Sequence, residues 1–534
     1  MSVLRPMGTE TEYAVTDEGS ARANPVQLSF DVVDGAADET TRHIRWDYRP
    51  EDPVNDARGY RLERAAARPE MLTDAPQLRV TNTIAPNGGR IYVDHAHPEY
   101  SAPETLDPFE ALRYDRAGDL LMAEAARRAN GRTGRRIALF RNNVDGKGAS
   151  WGSHESYQIS RAVPFDTLAA LMTAHFVTRQ LYCGSGRVGI GERSEEPGFQ
   201  LSQRADYMHA RIGLQTTFER PIVNTRDESH STDAYRRLHV IVGDANRMDV
   251  PEALRLGTTS MVAWLAENAD DAGYDLRALL GRIGLDDPVD AIHTVSHDLG
   301  LRTPLAAAAG GSITAWQIQV LLRSAVYEVA AAIHGTDIDG EPLWPDEPTK
   351  RIMAMWGEAL RDVMQVAHAD GEERLGMSGA AGRLEWLLKW QLMERLRRRR
   401  GTGWDDARIR AMDIAWAALD ERRSVFTAVE PHAATLVPRD ALLSARTEAP
   451  ASTRAWFRAW LIGRFPADVV AASWKSMTVR ASDGTLHDIA IDDPRAHTAA
   501  DLRRRLDRTT NVDELLAMLD RTPADESGES DDNE

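Results

Sequence analysis

Strand-type and helix-type patterning occupy different stretches of this chain. Short segments with strand character recur between Thr9 and Val242, broken by two long helical segments. From Pro251 to about Asp420 the apolar spacing becomes mostly helical. Strands gathered ahead of helices, rather than alternating with them, predict an α+β fold and argue against a doubly wound parallel sheet. The chain has 534 residues, 42% of them hydrophobic, ample for a large core. Its formal net charge of −18 argues against a general nucleic-acid or anionic-membrane binder. A single cysteine, Cys183, excludes an intrachain disulfide framework and a Cys-rich zinc site, and fits a reducing, cytoplasmic compartment. Residues 1–10 carry no apolar signal core, and no run of about 18 apolar residues occurs, so neither a secretory signal nor a membrane span is expected.

The organisation can be read in more detail. Thr9–Val15 (TETEYAV) reads as a strand with Glu10 and Glu12 on one face. Residues 42–77 lose any clean period, are dense in Arg, Asp and Glu, and carry four prolines; an insert of this kind is functional or disordered, with room for a short helix near Tyr60–Ala67. A hairpin follows, Arg79–Ile84 and Arg90–Asp94 about an Asn87-Gly88 turn, with Arg90, Tyr92 and Asp94 sharing a face. Leu106–Asn130 reads as a helix capped by Asp107-Pro108, and Ser153–Ser160 and Arg237–Val242 as strands. The glycines of Gly184–Gly191 match no phosphate-binding fingerprint and read as a loop. Proline punctuation places a boundary near 430–450. The expected organisation is a large domain over 1–435, a small α/β unit over 436–522, and a disordered acidic tail over 523–534.

The chemistry-bearing signal is carboxylates and imidazoles at strand spacing: Glu10 and Glu12, Asp94, Glu99, His154 beside Glu155, and His239. Hard cations such as Mg²⁺ take oxygen ligands shared with substrate phosphates, and inward carboxylates need such compensation. The alternative is an edge strand whose glutamates face solvent. Asp94 suits a nucleophile or general base, against the alternative of a strand-end cap before Pro98. Arg204 and Arg226 suit a carboxylate clamp, or ordinary surface ion pairs. Trp474 suits purine stacking, or simple packing.

The segments MGTETEY, RIYVDHAHPEYSAPE, GSHESYQ, RPIVNTRDE and YRRLHVIVGDAN resemble the family that contains the ligase and the deamidase of the prokaryotic ubiquitin-like protein Pup. That family is related to glutamine synthetase and other carboxylate–amine ligases. The likeness runs from Met7 to about Arg521. The ligase branch is similar to GIETEF and a YLDVGSHPEY-type segment; here GTETEY and YVDHAHPEY stand instead, and the 42–77 insert looks like a loop of the deamidase branch. The resemblance therefore implies a Pup deamidase and depupylase, with the Pup–protein ligase and a small-molecule carboxylate–amine ligase as alternatives. It implies a glutamine synthetase-like curved antiparallel sheet cradle packed on helices, with ATP and Mg²⁺ as cofactors. Pup and pupylated proteins would be its partners, with a functional link to a bacterial proteasome. Carried over by residue, Asp94 would be catalytic. Arg90, Ala102 (through its backbone) and Trp474 would contact ATP. Glu10, Tyr92, Glu99, His154 and His239 would hold metal, with Glu12 and Glu155 as further ligands. Arg204 and Arg226 would orient the terminal side chain of Pup.

Overall fold

A computed structural model describes residues 3–20, 22–63, 80–228 and 230–520. Its centre is a six-stranded sheet of β1 (Met7–Glu12), β2 (Asn82–Ile84), β3 (Arg90–Asp94), β4 (His97–Ser101), β5 (Ser153–Ser160) and β6 (Tyr235–Val240). The spatial order is β6-β5-β1-β4-β3-β2, with every pairing antiparallel. Register decides what shares a face, because directly paired residues point the same way. Glu10 pairs with His154 on one side and Ser101 on the other; Glu12 pairs with Glu99, Glu99 with Tyr92, and Asp94 with His97.

The opposite face carries Ile91, Tyr100, Tyr157, Ile159, Leu238 and Val240, and all six are buried. It packs on two clusters. One is built with helix Pro108–Thr133, capped by the Asp107 carboxylate as the sequence predicts. The other is the large core formed with Phe165–Thr178 and the helices after Asp249. Tyr100 lies so close to helix Pro108–Thr133 that a Cβ on Gly118 would come within 2.2 Å of its ring. Among the described residues, no helix is long and apolar enough to cross a membrane.

Several expectations need correction. Arg187–Ile190, read as loop, is a strand paired with Glu196–Gln200, with Gly189 at a positive φ of 95° where the ladder bulges. Tyr60–Arg61 is not helical; it pairs with Asn55–Asp56, and residues 64–67 of the expected helix lie outside the described residues. The described part of the insert is not structureless either: Arg45–Trp46 pairs in parallel with Ala471–Ala472 of the small C-terminal sheet. The small unit has its own core, from Phe457 to Leu515, and Ile44 belongs to it. Leu442 and Ala445, assigned by sequence to that unit, instead pack in the sheet-side cluster. The described residues of that unit end in two helices, Ala499–Leu506 and Val512–Asp520. The tail over 523–534 lies outside the described residues.

Candidate active site

One face of the sheet gathers the predicted metal residues into two neighbouring groups. In the first, Glu10, His154 and His239 bring one ligand atom each within 4.8 Å of one another. Nδ1 of His154 lies 3.5 Å and Nε2 of His239 3.8 Å from Oε2 of Glu10, and the two rings meet edge-on with centroids 5.1 Å apart. Arg237 donates to the other Glu10 oxygen at 2.8 Å. Burial pushes the Glu10 carboxyl up, but the Arg237 charge, the His154 hydrogen bond and the two imidazoles outweigh it and hold it well below the usual range. Burial first, then the Arg237 charge, push the His239 imidazole well below its usual value. Both its ring nitrogens are buried without a hydrogen-bond partner, the state of an imidazole awaiting a ligand.

The second group is oxygen only: Glu12, Asp94 and Glu99, likewise within 4.8 Å. Burial raises Glu12, but His97 at 3.2 Å, the His154 charge and the Gly152 N–H at 2.8 Å bring it down to about 2. Glu99 goes the other way. Burial first, then the charges of Asp94, Glu12 and Glu10, push it well above the usual range. Burial and Glu99 likewise raise Tyr92, whose ring is covered by the Arg90 guanidinium at 4.0 Å. Three converging carboxylates whose mutual repulsion raises one of them form a donor set that fits a divalent cation. Asp94 differs from its neighbours in access: its side chain is 40% exposed, against 10% for Glu12. It stands at the end of β3, paired with His95, which turns the chain at a positive φ of 51°.

Glycine 152 explains how His154 fits. A Cβ on Gly152 would lie 2.0 Å from His154 Nε2. Gly152→Ala therefore has to expel the imidazole, and we expect turnover to fall roughly 10²-fold, the usual cost of an ångström-scale misplacement. Circular dichroism alongside the rate assay checks that the sheet survives. An undiminished rate would remove His154 from the site.

Two of the three residues expected at a nucleotide, Ala102 and Trp474, line a pocket at the other end of β1, and Arg90 does not line it. The pocket, of about 50 Å³, is lined by Gly8, Glu10, Ser101, Ala102, Glu104 and Trp474, among others. The Ala102 N–H is taken by Thr9 O at 2.9 Å, so a backbone contact there falls to its carbonyl. Trp474 is packed edge-on against Trp46 at 5.2 Å. Arg90 is engaged by the insert: it donates to Tyr48 at 3.1 Å and lies over the Trp46 ring at 4.0 Å.

Other residues fall differently from expectation. Glu155 is not at the site. Strand alternation turns it to the helix side, where Arg179 and Tyr157 bind it and Arg255 lies 3.7 Å away. Arg204 and Arg226 have different partners. Arg204 is 1% exposed and donates to Ser150 Oγ and to the carbonyls of Trp151 and Ile241. Its charge is felt with Glu12, whereas Arg226 pairs with Glu228 and is felt by Glu51 and Glu10. Sequence reasoning passed over Arg237, the cation bound to Glu10; its place two residues before His239 on a period-two strand was the available signal.

The antiparallel sheet packed on helices is a glutamine synthetase-like α+β fold, and one face of it carries two side-chain groups with the ligand spacing of a cation site. The chain belongs to the family described as Pup-ligase protein, whose model matches residues 5–478. It is 38% identical over 527 residues to the Pup deamidase/depupylase of Mycolicibacterium smegmatis, covering 96% of this chain and 99% of that protein. Its fold is similar to that of the ligase PafA in complex with Pup, with a TM-score of 0.74, 24% identity, and coverage of 100% of this chain and 98% of that one. It is also similar to PafA in complex with ADP, with a TM-score of 0.67, 26% identity, and coverage of 82% and 90%.

Proposed function

We propose that this chain is a nucleotide-dependent amidohydrolase that deamidates the C-terminal glutamine of Pup and cleaves the isopeptide bond between Pup and a substrate lysine. The observation that carries the reading is Asp94, the accessible carboxylate of the oxygen-only group, in a chain that matches a Pup deamidase/depupylase nearly end to end. Both reactions add water across the same C–N bond, at the δ-carbonyl of the terminal Pup residue. Asp94 either attacks that carbon, giving an acyl-enzyme that water then opens, or takes the proton of the attacking water; in each route the nitrogen leaves as ammonia or as the lysine amine. Arg226, on the Glu10 side, would orient the terminal side chain; the expected second clamp, Arg204, is buried and donates to Ser150 and the carbonyls of Trp151 and Ile241 instead. Arg90, the Ala102 carbonyl and Trp474 would hold ATP. Glu10, Tyr92, Glu99, His154 and His239, with Glu12, would hold Mg²⁺, which when bound supplies positive charge to phosphates and to the oxygen that becomes anionic. The nucleotide would complete the site rather than be consumed with each turnover. The proposed setting is the cytoplasm, upstream of a bacterial proteasome.

The second reading is the Pup–protein ligase, which the two PafA structures favour. What separates the readings is the insert, whose Trp46, Tyr48 and Glu51 engage Arg90. Mass spectrometry of glutamine-ended Pup incubated with the protein, ATP and Mg²⁺ tests the proposal. An increase of one mass unit at the C-terminus, lost when nucleotide or Mg²⁺ is withheld, is expected; an unchanged amide contradicts it.

A further inference from the structure

The wall of the nucleotide pocket that carries Trp474 belongs to the small C-terminal unit, and one carboxylate from the sheet side fastens it. Glu104 follows β4 and is almost wholly buried. It binds Arg454 Nε at 2.7 Å, and the Arg458 guanidinium reaches its second oxygen. Both arginines are 0% exposed. Burial raises the Glu104 carboxyl, but Arg458 and Arg454 outweigh it and hold it well below the usual range. Each arginine then braces a different part of the pocket. Arg454 donates to the carbonyls of Ile491 and Asp492 and, at 3.0 Å, to Nδ1 of His230, whose ring lies against Trp474. Arg458 places its guanidinium 4.9 Å over the Trp474 ring and donates to Gly88 O at 2.9 Å, in the hairpin turn that leads into Arg90. The turn and helix Ala455–Arg464 are in close contact, since a Cβ on Gly88 would sit 2.8 Å from Ala455 O.

From this geometry we infer that Glu104 is a positioning residue for the nucleotide. Through Arg454 and Arg458 it fixes both the aromatic wall, Trp474 with His230, and the approach of Arg90 from the other domain. The inference rests on the assignment of this pocket to ATP. Without Glu104, two buried guanidiniums lose their shared counter-charge and must move apart or draw in water. The first groups displaced are those they hold, at the pocket.

The test measures ATP binding by calorimetry and the ATP dependence of turnover in the full chain, for wild type, Glu104→Gln and Arg458→Lys. Arg458→Lys keeps the ion pair and the fold but loses the planar group over Trp474 and the Gly88 contact. For Glu104→Gln we expect the Kd and the KM for ATP to rise at least tenfold while kcat at saturating ATP falls by no more than threefold. For Arg458→Lys we expect a smaller rise, of about threefold or more. A merely structural role would lower the unfolding midpoint and leave ATP affinity as in wild type, and that result in the folded variants overturns the inference. Should Glu104→Gln fail to fold, Arg458→Lys decides alone: unchanged ATP affinity overturns the inference. Wild-type protein that binds no ATP overturns the pocket assignment instead, before any variant is compared.

Discussion

Asp94→Asn is expected to abolish amide hydrolysis while leaving the sheet and the ATP pocket in place. The substitution is nearly isosteric, and the Asp94 side chain is 40% exposed, so no packing is lost. What is removed is a negative charge facing Glu99 and Glu12. If Asp94 serves as base, the rate should fall about 10²- to 10⁴-fold. If it serves as nucleophile, no route to the acyl-enzyme remains and the loss is at least as large. Single-turnover assays read the rate, and hydroxylamine trapping distinguishes the roles, since only an acyl-enzyme leaves a hydroxamate at position 94. The Glu99 carboxyl, raised in part by Asp94, should titrate lower in the variant. A variant that hydrolyses at the parental rate would eliminate both roles and shift attention to Glu12 or Glu99.

The largest expected effect on stability lies directly beneath the site. Glu155 is wholly buried and shared by Arg179, at 2.6 Å and 2.9 Å, with the Tyr157 hydroxyl donating at 2.6 Å. Glu155→Ala leaves Arg179 buried and uncompensated, with Arg255 reduced to its remaining partner Glu252, and should cost about 3–5 kcal/mol. Against a total stability of roughly 5–15 kcal/mol, that is a large share. Burial raises the Glu155 carboxyl, but the arginines outweigh it and its folded-state value is depressed. Its contribution is therefore complete above the unfolded carboxylate value, about 4.3, and is lost as pH falls through the folded value. Denaturant unfolding followed from pH 7 to pH 3 checks both points: the Glu155→Ala deficit should be greatest at neutral pH and shrink in acid. A deficit below about 1 kcal/mol at pH 7 would mean that the helices repack without this pair.

How much of this was legible from sequence depends on the range of the interaction. Period-two alternation put Glu10 and Glu12 on one face and Arg90, Tyr92 and Asp94 on another, and the register brings these two sets onto a single surface. The same rule, applied to Ser153–Ser160, separates His154 from Glu155; reading both as ligands set it aside. Arg204 looked like a clamp because a lone arginine gives no sign of what surrounds it, and its acceptors are the distant carbonyls of Trp151 and Ile241. The expectation of a small C-terminal unit gave no sign that Ile44 and strand Arg45–Trp46 pack with Phe457–Leu515 and Ala471–Ala472. That contact joins segments over 400 residues apart, with no local pattern to announce it. The turn at Asn87-Gly88 was legible as a hairpin, but its role as a seat for Arg458 follows only from the packed structure.

The central claim is that this face hydrolyses amide bonds to Pup rather than forming them. One parallel measurement addresses it most directly: a Pup–lysine conjugate, and separately glutamate-ended Pup with a lysine-bearing protein, each incubated with this chain, ATP and Mg²⁺ and read by intact-mass spectrometry. Release of free Pup and the unmodified protein from the conjugate, at a rate that Asp94→Asn abolishes, with no net attachment in the second reaction, is the expected result. An intact conjugate together with attachment of glutamate-ended Pup to lysine would contradict the claim and make the chain a ligase.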